Sequence, residues 1–189
     1  MFLGNSITRH GIKEEIGWYG DYGMAASAKE KDYVHLLMKK IEEKTLNPSF
    51  CICQAAAWES IYWDGASTYS LFRSARAFSA DVIIIRLIEN CPTKEFDGEA
   101  FKKELWNFLT FLNPTGKAKI VMTTGFWCHP GDRYIRELAE EKGMPLTELG
   151  DLGADPKMKA IGLFEHSGVA NHPGDKGMEA IAERIFELI

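Results

Sequence analysis

A three-layer α/β/α sandwich is the fold that this chain predicts, on three observations. Strand-like apolar runs alternate with helical patterns five times, as in a parallel sheet with right-handed helical crossovers. The run Val82-Ile-Ile-Ile85, set between Asp81 and Arg86, is apolar at every position, as a strand covered on both faces requires. The 189 residues carry no linker, internal repeat or low-complexity tract, so residues 1–189 suit one domain that can bury a full core.

Taken in order, Met1 to Leu3 form the first strand, stopped by Gly4, Asn5 and Ser6. It is short for a central strand, so either the natural chain begins earlier or another segment covers the gap. Residues 9–28 hold Gly11, Gly17, Gly20 and Gly23 and read as a long structured loop. Its Trp18, Tyr19 and Tyr22 either wall a substrate site or form a small satellite core. Tyr33, Leu36, Leu37 and Ile41 make one face of an amphipathic helix over 32–44. The second strand, 49–54, follows Pro48 and runs into the loop Ala55-Ala-Ala-Trp-Glu59; Trp58, Tyr62 and Trp63 add aromatic surface there. A helix over 69–78, the buried strand 81–87 and a turn at Cys91-Pro92 come next. A helix over 96–112 is closed by Asn113-Pro-Thr-Gly116, and the fourth strand, 119–124, opens into 125–130 with Trp127 and His129 at the carboxyl edge. A helix over 132–142, a fifth strand over 145–149 and a loop with helical content over 150–166 lead to Gly168–Met178. The terminal helix presents Met178, Ile181, Ile185 and Leu188, with Asp175 expected to cap it.

A formal net charge of −5 argues against nucleic acid, because neutralising phosphates needs a basic surface. No run approaches the roughly 20 apolar residues of a membrane span, and no basic start with an apolar centre marks a signal peptide. Cys51, Cys53, Cys91 and Cys128 fit no zinc spacing, and Cys51 and Cys53 would share a strand face, poor geometry for a mutual disulfide. Reduced thiols in a cytoplasmic protein are the simplest account; a secreted one follows if a leader is missing. No metal or organic cofactor is expected, and a homo-oligomer is left open.

An apolar run ended by glycine places Ser6 at the carboxyl edge of a sheet, where open α/β folds bind ligands; the same Ser6-x-Thr8 could serve as an ordinary helix cap. A base for such a serine is offered by His172, held in a loop by Pro173 and Gly174 just before the last helix. His129 is its rival, with substrate contact as the other reading.

Gly4-Asn5-Ser6, Arg86-Leu-Ile-Glu-Asn90 and His172-Pro173 together resemble, over essentially the whole chain, the SGNH (GDSL-like) hydrolases. Their nucleophile block reads Gly-Asp-Ser, a later block exits the third strand on an oxyanion asparagine, and the last sets a histidine before a proline. The resemblance implies a flavodoxin-like, five-stranded parallel sheet, with Ser6 as nucleophile, His172 as base and Asn90 as a side-chain donor to the oxyanion. Two departures stand out at the oxyanion. The family glycine that supplies an N–H falls near Glu59, with Ala56 and Ala57 as alternatives, and the glycine before the asparagine is Ile88. The aspartate usually found three residues before the histidine is Val169, so either a main-chain carbonyl near Val169 or the carboxylate of Glu165 must orient His172.

The expected reaction is ester hydrolysis through an acyl-serine, with activity rising as His172 deprotonates near an apparent pKa of roughly 6–7. Aromatic residues Trp18, Tyr19, Trp58 and Trp127, with His129, suggest a carbohydrate face and hence a small-molecule ester substrate such as an O-acetyl sugar. A lysophospholipase or thioesterase is the alternative acyl hydrolase; a weakly catalytic carbohydrate-binding member of the fold is the alternative from another class.

Overall fold

The computed structural model describes residues 1–189. Its five strands, β1 (Phe2–Gly4), β2 (Ile52–Gln54), β3 (Val82–Arg86), β4 (Lys119–Thr123) and β5 (Leu146–Thr147), form one parallel sheet in the order β2-β1-β3-β4-β5. The eight α-helices are α1 (Tyr33–Glu42), α2 (Ala56–Ser60), α3 (Arg73–Phe78), α4 (Gly98–Leu112), α5 (Asp132–Lys142), α6 (Gly150–Ala154), α7 (Ser167–Ala170) and α8 (Asp175–Phe186).

The strands' period of two divides the core. Phe2, Ile84 and Val121 face α1 and α8, against Tyr33, Leu37, Met178, Ile181 and Ile185. Leu3, Ile83, Ile85 and Met122 face the opposite layer, against Trp58 of α2, Phe101, Leu105 and Phe108 of α4, and Ile135 of α5. Each fully buried side chain of this kind contributes roughly 1.5–3 kcal/mol, which is why β3 reads as uninterrupted apolar sequence. A third, small cluster joins Trp18, Met24 and Ala25 of the long loop to Ala160 and Val169.

Chain direction across the sheet reverses between β1 and β3, and in open parallel sheets the crevice at that point, beyond the carboxyl ends, receives ligands. Gly4 ends β1 there because nothing larger fits: a Cβ would run into the Thr8 hydroxyl and the Arg86 carbonyl.

Local elements depart from expectation in three places. β2 and β5 are shorter than the runs 49–54 and 145–149. The helix expected over 69–78 is a 3-10 run, Tyr62–Phe72, broken at Asp64 and passing into α3. Ser67 and Thr68 hydroxyls donate to the carbonyls of Asp64 and Gly65, local bonds that compete with a regular helix, while Gly65 lies flat against the Trp58 indole. Asp175 is not the cap of α8; Gly174 is. The Asp175 carboxylate instead accepts from Ser27 N–H and Oγ (both 2.8 Å) and from Lys31 Nζ (2.9 Å), tying the long loop to this helix.

Candidate active site

The turn after β1 and the loop before α8 meet, although 166 residues separate them. Ser6 Oγ lies 2.9 Å from His172 Nε2, and His172 Nδ1 lies 2.7 Å from the carbonyl oxygen of Gly168. A carbonyl only accepts, so Nδ1 carries the proton; in the neutral ring Nε2 then holds the lone pair, facing the serine hydroxyl. The orienting group is thus the main-chain carbonyl of Gly168. Glu165 is corrected as a candidate for that part: it is exposed, with no hydrogen bond to the ring. Val169, at the position of the usual acid, is buried in the satellite cluster.

The backbone around His172 is pinned. Its carbonyl accepts from Ala160 N–H (2.9 Å), its N–H donates to Val169 O (2.9 Å), and Gly174 N–H donates to Met158 O (2.9 Å). The Trp127 ring meets the imidazole edge to face, centroids 5.0 Å apart. Burial pushes the His172 pKa down to about 4, opposed by the Gly168 bond and reinforced by the Arg86 charge. This lies below the roughly 6–7 that an unburied imidazole predicts.

The Ser6 N–H has no partner within the chain and remains free for an anion. Asn90 lines the same open cleft, of about 290 Å³, with Ser6, His172, His10, Gln54 and His166. Three larger clefts, about 450, 530 and 550 Å³, contain neither histidine nor cysteine. Across the chain no three His, Cys, Asp or Glu side chains converge as metal ligands.

Glu59 does not supply its N–H to this cleft: that group donates to Ala55 O (2.9 Å) inside α2. Its carboxylate points inward. Oε1 accepts from Ile88 N–H (2.6 Å), Asn5 Nδ2 (3.0 Å) and Asn90 N–H (3.4 Å), and Oε2 accepts from Asn90 Nδ2 (2.8 Å). Ala56 lines the cleft, and its N–H presently donates to Gln54 Oε1 (2.7 Å). Beneath the serine, Arg86 pairs with Glu89 (2.7 Å), and both meet Asn5. Burial alone would raise Glu89, but Arg86 holds it below the usual carboxylate range; Glu59 is raised by burial and then by the charge of Glu89.

The aromatic expectations are corrected in most cases. Trp18 is buried in the satellite core, its Nε1 donating to His10 O (3.1 Å), because an indole on a glycine-rich loop finds apolar cover from Phe164, Tyr22 and Val169. Trp58 is sealed in the main core, stacked on Phe108 at 5.1 Å. Tyr19 is exposed but does not line the cleft. His129 is committed to main-chain partners: Nε2 donates to Cys91 O (3.1 Å) and Nδ1 accepts from Gly131 N–H (2.9 Å), leaving neither nitrogen for a substrate or a serine. Trp127 alone of that set touches the dyad.

Sequence reading passed over Asn5, Arg86 and Glu89 as a working unit, and His10, Gln54 and His166 as cleft residues. Charged Arg86 and Glu89 at the end of a doubly covered strand were the available signal, since buried charges are kept only when paired.

No family model and no curated protein sequence matches the chain. Solved structures do match in fold. A protein assigned to the lipolytic G-D-S-L family from Desulfitobacterium hafniense DCB-2 is 14% identical at a TM-score of 0.59, covering 100% of this chain and 97% of that one. The acetyl xylan esterase AlAXEase is 18% identical at a TM-score of 0.63, covering 100% and 98%. A two-domain esterase active on acetylated mannans, CEX, co-crystallised with mannopentaose, is 15% identical at a TM-score of 0.63, with 98% of this chain spanning 47% of that one. The chain therefore has the fold of the SGNH (GDSL-like) hydrolases.

Proposed function

We propose that a chain with this SGNH-type fold is a serine ester hydrolase that removes small acyl groups, acetyl first, from a carbohydrate or similar small ester. The observation that carries the reading is the relay from Ser6 Oγ through His172 to the Gly168 carbonyl, at the mouth of the sheet-edge cleft. Ser6 attacks the ester carbonyl carbon as Nε2 takes its proton; the Gly168 carbonyl stabilises the imidazolium and fixes its ring. The oxyanion is met by the Ser6 N–H, by Asn90 Nδ2, and by Ala56 N–H once the Gln54 side chain turns aside. Collapse of the tetrahedral species breaks the C–O bond, His172 returns the proton to the leaving alcohol, and a water activated by the same nitrogen releases the acid from the acyl-serine.

A cleft of about 290 Å³ favours a short acyl chain, and His10, Gln54 and His166 on its walls can bond sugar hydroxyls. The esterases of similar fold that act on acetylated mannans or xylan support the same class. The test is turnover of p-nitrophenyl acetate, butyrate and octanoate and release of acetate from acetylated xylan and mannan, by wild type and Ser6→Ala, with fluorophosphonate labelling. Expected are acetate preference, labelling at Ser6 and loss of both in the variant. Wild type that neither labels nor turns over would make the chain a binding module; octanoate preference would shift it to the long-chain acyl hydrolases.

A further inference from the structure

We infer that Glu59 is a positioning residue for the oxyanion donor Asn90, acting through its carboxylate and not through its main chain; this deepens the esterase reading and rests on it. The carboxylate is fully buried, yet every neighbour it bonds is a donor belonging to the site: Ile88 N–H, Asn5 Nδ2, Asn90 N–H and Asn90 Nδ2. A protonated carboxyl would need an acceptor there, and among its hydrogen-bond partners there is none, so this bonding pattern is that of the anion.

Two consequences follow for Asn90. The bond from Nδ2 to Glu59 Oε2 uses one amide hydrogen and leaves the other without a partner in the chain, on a residue that lines the cleft with Ser6. The donor is then oriented before substrate arrives, which is the condition under which such donors act strongly. The backbone leading to Asn90 is also held. Ile88 sits at φ 133°, a region hostile to a β-branched side chain, and its N–H makes the shortest bond to the carboxylate. A glycine, usual at that position in the resembling family, adopts such a φ freely; with isoleucine there, the Glu59 bond holds the strained turn.

Glu59→Gln separates this from a packing role. Three donors converge on Oε1, so the glutamine keeps its carbonyl there and sets its NH2 against Asn90 Nδ2, donor against donor. On p-nitrophenyl acetate the expected result is a fall in kcat of about 10–100-fold with KM within about threefold, against about 10²–10³-fold for Asn90→Ala. In the Asn90→Ala background, Glu59→Gln should add less than about threefold, because the group it positions is gone. Active-site titration with fluorophosphonate corrects for any unfolded fraction. Unchanged kcat in Glu59→Gln, or losses that multiply fully in the double variant, would overturn the inference.

Should Glu59→Gln fail to fold, wild-type protein labelled with ¹⁵N-asparagine decides. The Asn90 Nδ2 pair, assigned by its absence in Asn90→Ala, should show one proton protected from solvent exchange; a fast-exchanging, averaged pair would overturn the assignment. A wild type that hydrolyses no ester removes the esterase reading and the positioning role together, whereas an active wild type indifferent to Glu59→Gln removes the positioning role alone.

Discussion

Asn5 Nδ2 donates at once to Glu59 Oε1 (3.0 Å) and to Glu89 Oε2 (2.6 Å), while its Oδ1 accepts from the Arg86 guanidinium. Only an amide can do this. Asn in place of Asp before the serine and the inward-pointing carboxylate of Glu59 thereby become one arrangement: a carboxylate at 59 beside Glu89 requires a donor at 5. Arg86 is the single cation of this cluster, and its ion pair is with Glu89.

Asn5→Asp should therefore destabilise the fold severely. It removes both donated bonds and places a third carboxylate, fully buried, beside one guanidinium. Breaking a buried, paired arrangement in this way costs about 3–5 kcal/mol, measurable by urea denaturation. Stability within about 1 kcal/mol of wild type would mean the cluster is wetter than its burial indicates.

The base is active when neutral, so kcat/KM should rise with pH through the depressed His172 pKa and reach its plateau earlier than an ordinary histidine would allow. Burial drives that pKa down to about 4. An acid limb centred below 6, flat from pH 6.5 to 8, is expected in p-nitrophenyl acetate hydrolysis; a limb centred at 7 would show that the ring is solvated or paired with a carboxylate.

The sheet was legible because β3 and β4 are apolar on both faces and the helices over 32–44 and 132–142 keep a 3.6-residue period. The loop before the last helix offered His172 as a base for Ser6, and resemblance set it above His129, since no local pattern links residues 166 apart. Side-chain direction was not legible. Trp18 and Trp58 have the composition of a sugar platform, but burial of an indole outweighs its exposure wherever a core lies within reach. Glu59 was considered for its N–H, whereas its carboxylate is what meets Asn5 and Asn90, because a charged side chain is expected outside unless such partners can be foreseen.

Glu165→Gln should leave activity unchanged, within about twofold. The residue is exposed, and the ring nitrogen it would have to reach is bonded to Gly168 O at 2.7 Å. A loss of several orders in kcat, of the size seen when a triad aspartate is removed, would mean that the loop over 165–168 rearranges on binding substrate.

Trp58 should behave as core. Its ring is stacked on Phe108 and its Nε1 is buried without a partner. Trp58→Ala should cost about 3–5 kcal/mol of stability, whereas Trp58→Phe, which also deletes the unpaired donor, should cost less than about 1.5 kcal/mol. Both follow from thermal or urea melts. A change in KM for acetylated sugar with stability intact would return this residue to the substrate site.

Trp127 is different, because it alone of the candidate aromatics touches the imidazole. Its ring stands nearly perpendicular to His172, at 84°, and shields one side of it from solvent. Trp127→Ala should open that side, with two separable effects. Less burial means less desolvation of the imidazolium, so the acid limb of kcat/KM should move up toward 6.5, the ordinary value for the ring. A ring free to rock about the single Gly168 bond is also aligned less often with Ser6 Oγ, so kcat at the plateau should fall by about 10-fold. Trp127→Phe, keeping an aromatic wall, should recover most of both. A plateau loss without any shift of the limb would mean that Trp127 aligns the base but does not set its burial, and a shift without loss would mean the reverse.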